Sequence, residues 1–342
     1  MLIVSLEFLA LAAVVAVAGT YLARSADQIA EITQLGRLLI GSVLLAAATS
    51  LPELTVNLSA VRQGMPDLAV GNLFGSGLMN LLILTSLDLV HRSGGKMLSR
   101  AAAAHALSAI LGIALTAIAC LAILTAPRLP EVSIFGIGIW SWGILVAYLL
   151  GVRMIFLDQR VSTRAVAEAE EATAAPVAIG NESAPPPLWK PVFVFSVATF
   201  VLFLSGPRLA HSAGQLAELS GLGKTFVGTT LVALCTSMPE LVASITALRM
   251  NSIDLVIGNV FGSNAFNMIL FLPMDAVHPG SLFADISSTH TVTSLAVILA
   301  TAVAVLGQLY HVEKRWRIVE PDALLMLLIL GGALFLVYRL ST

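Results

Sequence analysis

The chain has 342 residues, of which 58% are hydrophobic and only 11% are charged. A soluble domain carries roughly 25% charged residues, so this composition excludes the soluble globular class and indicates a helical membrane protein. The strands of a β-barrel would be short and alternating in hydropathy, and the sequence has no such pattern. The net charge of −2 excludes nothing further.

Ten apolar runs are long enough to cross a bilayer as helices, which takes about 20 residues. The runs 68–87 and 132–152, for example, contain no charged residue. We therefore predict an all-α polytopic membrane protein with ten transmembrane helices. They are predicted to start near residues 3, 38, 68, 101, 132, 191, 225, 255, 291 and 322.

The distribution of Lys and Arg predicts the orientation of these spans, because cytoplasmic loops carry an excess of both. With ten spans, thirteen of the 18 basic residues fall on one side of the membrane. The other side receives Arg62, Arg128, Arg208, Lys224 and Arg339. The side with thirteen is predicted to be cytoplasmic, which places both termini outside.

Two halves flank a different kind of segment. Residues 156–187 contain acidic residues, alanines and four prolines, a composition typical of a solvated linker. We expect a cytoplasmic linker there, too short for a folded domain, between a first repeat at 1–155 and a second at 188–342.

The two halves repeat each other at a constant offset of 187 residues. TSLPEL at 49–54 recurs as TSMPEL, and GNLFGSGLMN at 71–80 recurs as GNVFGSNAFN. The repeated signatures occupy 41–80 and 228–267. Because each half has five spans, an odd number, the second half is predicted to be inverted, an architecture typical of secondary transporters.

The adjacent proline and glutamate of each signature point to a cation. Pro52 has no N–H for the carbonyl of Ala48, so the helix is expected to kink, which membrane helices tolerate where they line a cavity. Glu53 is expensive in lipid unless it is protonated, paired or bound to a cation. Neither signature helix pair has Lys or Arg in its interior, so a movable cation is the simplest counter-charge.

Further oxygen-bearing residues share a helix face with each glutamate or follow at four-residue spacing in the next helix. In the first half these are Ala46, Thr49, Ser50, Asn72, Ser76 and Asn80, and in the second Ala233, Thr236, Ser237, Asn259, Ser263 and Asn267. Hard cations such as Ca²⁺, Mg²⁺ and Na⁺ prefer carboxylate, hydroxyl, amide and carbonyl oxygens. Two glutamates match one divalent or two monovalent ions, and competition for one site is the physical basis of exchange.

At the motifs TSLPEL, GNLFGS, TSMPEL and GNVFGSNAFN the chain resembles the sodium/calcium exchanger family of the cation/Ca²⁺ antiporters, as a compact member of the prokaryotic type. The resemblance covers 19–91 and 206–278. It implies ten helices, alternating access in a prokaryotic cytoplasmic membrane, and cation coordination by Glu53 and Glu240. It also implies oxygen ligands from Thr49, Ser50, Ser76, Thr236, Ser237 and Ser263, main-chain oxygens from Ala46 and Ala233, and central positions for Asn80 and Asn267. The sequence departs from the family at Ala48 and Cys235, which replace a glycine, and at Gly77, which replaces an asparagine.

The resulting prediction is a transporter rather than an enzyme: an antiporter that exchanges Na⁺ for Ca²⁺. Exchange of Ca²⁺ or another divalent cation for H⁺ or K⁺ is the nearer alternative, and a cation channel is a more distant one. A membrane hydrolase would need a nucleophile with a base or a metal cluster, and the six histidines form no such group in sequence. The expected partners are the lipid bilayer and the ions Ca²⁺ and Na⁺, with no cofactor, nucleic acid or protein partner.

Other polar residues near the ends of the spans receive structural predictions. Asp67 and Asp254 stand at helix starts, where carboxylates commonly cap free N–H groups. The residues Asp88, His91, Asp275 and His278 fall at matched positions near opposite membrane faces. We expect them to anchor the helices at the interface, with pH sensing or ion guidance as the alternative.

Overall fold

The computed structural model describes residues 1–91, 102–130, 132–173, 187–219, 232–309 and 321–341. The elements of the first half are α1 (Leu2–Thr33), α2 (Arg37–Leu39), a π-helical segment (Ile40–Leu45), α3 (Ala46–Thr49), α4 (Leu51–Arg62), α5 (Pro66–Val90), α6 (Ala102–Thr125), a 3-10 turn (Ala126–Arg128), β1 (Ser133–Ile134), β2 (Ile137–Gly138) and α7 (Ile139–Thr173). The second half contains α8 (Trp189–Leu219), α9 (232–236), α10 (Met238–Arg249), α11 (Ile253–Ile269), α12 (Phe271–Val277), α13 (Leu282–Asp285), α14 (His290–Leu309) and α15 (Pro321–Ser341).

Within the described residues, seven helical stretches are long and apolar enough to cross a membrane. They are α1, α5, α6, α7, α8, α14 and the combined stretch of α11 and α12. The stretch from α2 to α4 meets the same test of length and composition only when its two parts are taken together across a bend of 42°. Of the other two predicted spans, the last coincides with α15, whose apolar part is Leu324–Ala333, and the one near residue 225 begins outside the described residues. The chain is therefore a helical, multi-pass membrane protein.

The fifth span differs from its prediction at both ends. It begins at Ile139 instead of near residue 132, because the intervening residues form a small antiparallel hairpin that pairs Ser133 with Gly138. Phe135 at the tip of this hairpin has a φ of 55°, which a helix does not allow. The helix then continues to Thr173, well into the predicted linker. The remainder of that linker, from 174 to 186, lies outside the described residues.

The order of the hydrophobic clusters along α5 and α11 shows that these two helices run in opposite directions. Buried apolar side chains within 69–74 of α5 belong to one cluster, and those within 78–87 belong to the other. Along α11 the order is reversed. Residues within 255–261, near its start, pack in the cluster that holds the end of α5, and residues within 265–268 pack in the cluster that holds the start of α5. Ser76 lies on α5 between the residues of the first cluster and those of the second. Polar residues therefore lie where the two clusters meet.

The long helix of each half supports the motif helix of the other half. α8 packs against α4 so closely that a Cβ atom at Gly206 would lie 2.5 Å from Cβ and Cγ of Pro52. α1 packs against α10 in the equivalent way, and a Cβ atom at Gly19 would lie 3.0 Å from Cγ1 of Val242. The outer faces of α1 and α8 expose large apolar side chains such as Leu6, as expected for helices that face lipid.

Candidate cation site

Each proline–glutamate motif starts a new helix. Ser50 (φ −88°, ψ 6°) and Ser237 (φ −82°, ψ 3°) interrupt the helix at equivalent positions of the two halves. The predicted kink at Pro52 is confirmed, since it lies at the start of α4, directly after the 42° bend. Proline is tolerated there because first-turn N–H groups have no partner within the helix. Glu53 and Glu240 consequently lie in first turns, where the helix dipole favours negative charge.

Two mirrored sets of contacts join the motif helices of one half to the GN-motif helix of the other. Thr49 Oγ1 lies 3.3 Å from Asn259 Oδ1 and 3.4 Å from Ser263 Oγ on α11. The equivalent contacts join Thr236 of α9 to Ser76 and Asn72 on α5, both at 3.4 Å. The structure therefore brings these predicted site residues together across the two halves.

The two glutamates are buried with most of their carboxylate oxygens unpaired. Both side chains are 0% exposed. Ser50 Oγ donates to Glu240 Oε1 at 3.2 Å. The other three oxygens, both from Glu53 and Oε2 from Glu240, accept no hydrogen bond from any residue that the structure describes. A buried carboxylate pair of this kind requires a proton or a cation to compensate its charge.

Three further predicted ligands also have buried polar atoms without a hydrogen-bond partner in the described residues. Neither amide atom of Asn267 has a hydrogen-bond partner in the described part of the chain, and the same is true of Asn80 Oδ1 and Ser237 Oγ. All three side chains are at most 1% exposed. Burying unpaired polar atoms is unfavourable, so these residues fit a site that offers oxygen atoms to an ion.

The two main-chain oxygens predicted as ligands lie at the helix breaks but already accept hydrogen bonds. The carbonyl of Ala46 accepts from Ser50 N at 3.1 Å and from Thr49 Oγ1 at 3.2 Å. The carbonyl of Ala233 accepts equivalent bonds at 3.0 and 3.2 Å. An ion at either oxygen would compete with the threonine hydroxyl, which is then free to turn its hydrogen elsewhere.

A second layer of polar residues, which sequence reasoning missed, holds the asparagines of the GN motifs. Asn72 Nδ2 donates to Asn57 Oδ1 at 2.9 Å, and Asn259 Nδ2 donates to Ser244 Oγ at 3.2 Å. Asn57 and Ser244 each lie four residues after a motif glutamate, on the same helix face. That spacing is the sequence signal that could have found them.

Two histidine–aspartate contacts cross between the halves at the starts of helices. Asp67 Oδ1 on α5 contacts His290 Nε2 on α14 at 3.0 Å and accepts the N–H of Ser287 at 2.7 Å. Asp254 Oδ1 on α11 contacts His105 Nε2 on α6 at 2.9 Å. The predicted capping role of both aspartates is wrong, because their carboxylates bind groups on other elements.

Asp275 is a buried anchor between the two halves. It is 2% exposed, and its Oδ2 accepts from Gly138 N at 2.8 Å and from Ser141 Oγ at 2.7 Å. Its Oδ1 accepts from Leu282 N at 3.3 Å. The carboxylate therefore ties α12 to the hairpin, to α7 and to α13. His278 contacts Asp285 at 2.8 Å. Asp88 lies in the last turn of α5, and His91 directly follows that helix.

We expect Asp275→Ala to lower the free energy of unfolding by about 3 kcal/mol, because three donors to a buried charge lose their acceptor. Asp275→Asn keeps one acceptor oxygen and is expected to cost about half as much. Asp285→Asn is the matched control, since that carboxylate is largely exposed and is worth under about 1 kcal/mol. Thermal unfolding in detergent measures all three, and equal midpoints for Asp275→Ala and Asp285→Asn would contradict the anchoring role.

Comparison with known proteins identifies the family to which this arrangement belongs. The sequence profile of the sodium/calcium exchanger proteins matches residues 4–156 and 190–339. The chain is 26% identical to the putative antiporter CaxA of Alkalimonas amylolytica, covering 92% of each chain. It is 25% identical to the sodium/calcium exchanger MaX1 of Methanosarcina acetivorans, covering 87% of this chain and 89% of that one.

The fold also matches that of a solved exchanger. The structure of the sodium-calcium exchanger NCX_Mj aligns with a TM-score of 0.69 and covers 98% of this chain and 99% of the other. The two sequences are 19% identical, so this likeness concerns the fold. Because the family profile matches most of the sequence, the chain belongs to the sodium/calcium exchanger family.

Proposed function

We propose that the protein is a secondary active antiporter that exchanges Na⁺ for Ca²⁺ by alternating access at a central site built on Glu53 and Glu240. The observation that carries this proposal is the pair of buried carboxylates with three unpaired oxygens. These oxygens are surrounded by hydroxyl and amide groups from both halves. Hard cations without a strong preference for nitrogen or sulfur fit such an environment.

The proposed ligand set is the one that the family resemblance implies. Glu53 and Glu240 supply the charge, and uncharged oxygens complete the shell. Those oxygens come from Thr49, Ser50, Ser76, Asn80, Thr236, Ser237, Ser263 and Asn267 and from the carbonyls of Ala46 and Ala233. Two negative charges balance one Ca²⁺ or two Na⁺, so binding of one species excludes the other and couples their movements.

The proposed architecture is ten helices in two inverted five-helix repeats, at 1–155 and 188–342, joined by a cytoplasmic linker at 156–187. The opposite directions of α5 and α11 and the equivalent helix breaks at Ser50 and Ser237 support it. Both termini then face outside, on the side with fewer basic residues.

Alternating access follows from the way in which the site is assembled. Thr49 and Thr236 each contact a helix of the opposite half, so a relative movement of the halves changes both sets of ligands together. A break at the centre of each motif helix allows one end to move while the other stays packed, as in transporters with discontinuous helices. The site is thereby opened to one side at a time.

Ion-replacement flux tests the proposal. The full-length protein is reconstituted into liposomes loaded with Na⁺, which are then diluted into Na⁺-free buffer that contains ⁴⁵Ca²⁺. We expect ⁴⁵Ca²⁺ to accumulate against its gradient, and collapse of the Na⁺ gradient with a Na⁺ ionophore should abolish uptake. Equal uptake into liposomes loaded with choline would overturn the proposal.

A proton is the principal alternative to Na⁺ as the coupling ion, because an unpaired buried carboxylate can bind H⁺ instead of a metal cation. K⁺ is the other alternative. Liposomes loaded with K⁺, or given an acidic interior without Na⁺, distinguish K⁺ and H⁺ from Na⁺ as the coupling ion in the same assay. Uptake driven by one of these gradients alone would identify H⁺ or K⁺ exchange. Flux that no counter-ion gradient influences would identify a channel.

A further inference from the structure

Asn264 joins the two halves beside the proposed cation site. It lies on α11 with 5% of its surface exposed, and within the described residues both hydrogen bonds of its side chain are to α5 of the other half. Its Nδ2 donates to the carbonyl of Gly77 at 3.3 Å, and its Oδ1 accepts from Asn80 Nδ2 at 2.9 Å. Asn80 itself is completely buried one turn beyond Ser76, the serine that contacts Thr236.

The chemistry of these groups determines which way both amides face. A backbone carbonyl can only accept, so Asn264 must turn its NH₂ group to Gly77 and its oxygen to Asn80. That oxygen can only accept as well, so Asn80 must present its NH₂ group. Reversing either amide would place two oxygens or two NH₂ groups against each other. Asn80 Oδ1 therefore faces away from Asn264, and no described residue donates to it.

We propose that Asn264 is a positioning residue that holds the Asn80 side chain with its amide oxygen available to the cation. This inference rests on the proposed function, because it assumes that Asn80 is a ligand. Metal cations bind the oxygen of an amide and are repelled by its NH₂ group. An Asn80 side chain that rotates freely would offer the wrong group part of the time, which weakens binding.

The repeat explains why only one of the two central asparagines is held in this way. The residue equivalent to Asn264 in the first half is Gly77, which has no side chain to contact Asn267. Neither amide atom of Asn267 has a partner in the ranges that the structure covers. Asn264 therefore holds Asn80 as a fixed ligand, whereas the departure from the family pattern at Gly77 leaves Asn267 adjustable to different ions.

A double-mutant cycle on the full-length protein in liposomes tests this role. Asn264→Ala is expected to raise the apparent KM for Ca²⁺ about tenfold with little change in kcat, as for loss of one ion–dipole contact. In an Asn80→Ala background the same change should have less than about a twofold effect, because coupled residues are not additive. In an Asn267→Ala background the full effect should persist.

A matched control and a second variant keep the test decisive. Thr301→Val removes a buried hydroxyl whose hydrogen bond, among the described residues, is to Val297 O of its own helix, and should leave KM unchanged. Asn264→Leu replaces Asn264→Ala if the latter does not fold, since it keeps the volume without the polar groups. If Asn80→Ala transports too slowly for kinetics, equilibrium ⁴⁵Ca²⁺ binding gives the same cycle as ratios of Kd.

The outcomes separate this inference from the proposed function. An equal effect of the Asn264 change with and without Asn80 overturns the positioning role while Na⁺-driven uptake by the unmodified protein stands. Absence of Na⁺-driven uptake in the unmodified protein instead overturns the proposed function, and the inference with it. If the Asn264 change raises the KM only when Asn80 is present, the result supports both the positioning role and the proposed function.

Discussion

Glu53→Gln and Glu240→Gln are each expected to weaken Ca²⁺ binding about 100-fold, and the double variant should abolish exchange. Each glutamine keeps the size of the side chain but removes one of the two charges that the proposed site offers. A charged ligand contributes about 2.7 kcal/mol or more in a buried site, which corresponds to this factor. Equilibrium ⁴⁵Ca²⁺ binding and flux into Na⁺-loaded liposomes measure the two effects separately.

The same substitutions should change stability in the opposite direction when ions are absent. A buried carboxylate without a partner is costly, and three oxygens of this pair accept no hydrogen bond from a described residue, so either glutamine is expected to raise the unfolding temperature in ion-free buffer. The unmodified protein should gain about 2.7 kcal/mol from Ca²⁺ at a concentration of 100 times Kd. The double variant should gain nothing.

An exposed carboxylate provides the control for these glutamine variants. Asp285→Asn makes the same change of charge far from the proposed site, at a side chain that is 56% exposed, and should alter neither binding nor flux. Uptake by the double variant at the rate of the unmodified protein would show that the two glutamates do not bind the transported ions.

Gly262→Ala is expected to disrupt the packing of α11 against the π-helical segment and thereby to abolish transport. A Cβ atom at 262 would lie 2.7 Å from the carbonyl carbon of Ser42 and closer still to its Cα and oxygen. These are backbone atoms in a helix, so they cannot rotate away. Overpacking a core costs about 1–3 kcal/mol, and we expect the upper end of that range.

The loss of transport has a local cause, since Ser263 contacts Thr49 at 3.4 Å directly beside this crossing. Displacement of α11 separates this pair. Gly143→Ala is the control, because a Cβ atom there has no described atom within 4 Å, and alanine in a helix is favoured over glycine by about 1 kcal/mol. Thermal unfolding that is equal for both alanine variants would contradict the close crossing.

The repeat made much of the site predictable from sequence. The constant offset identified Glu53 with Glu240 and Thr49 with Thr236, and the structure places each threonine at a contact between the halves. The starts of most spans were also predicted closely, because apolar runs of membrane length leave few alternatives. Ile139 was missed because a hairpin of apolar residues resembles the beginning of a span.

The 187-residue offset between the repeats could not predict which side chains contact each other. It establishes which residues are equivalent, but not that Asp67 contacts His290 or that Asn264 contacts Asn80. These contacts join residues far apart in sequence, and they depend on how α5, α6, α11 and α14 pack. By contrast, Asn57 and Ser244, one turn beyond each glutamate, contact the GN-motif asparagine of their own half at equivalent positions.

The hydrogen bonds between the halves have a consequence for biosynthesis. Thr49 and Asn80 leave the ribosome and enter the bilayer before Asn259 and Asn264, their partners, have been translated. The nascent first half must therefore keep a polar face away from acyl chains for the time needed to make about 200 more residues, which takes 10 s or more at about 5–20 residues per second. Insertion machinery or trapped water has to shelter that face until α11 arrives.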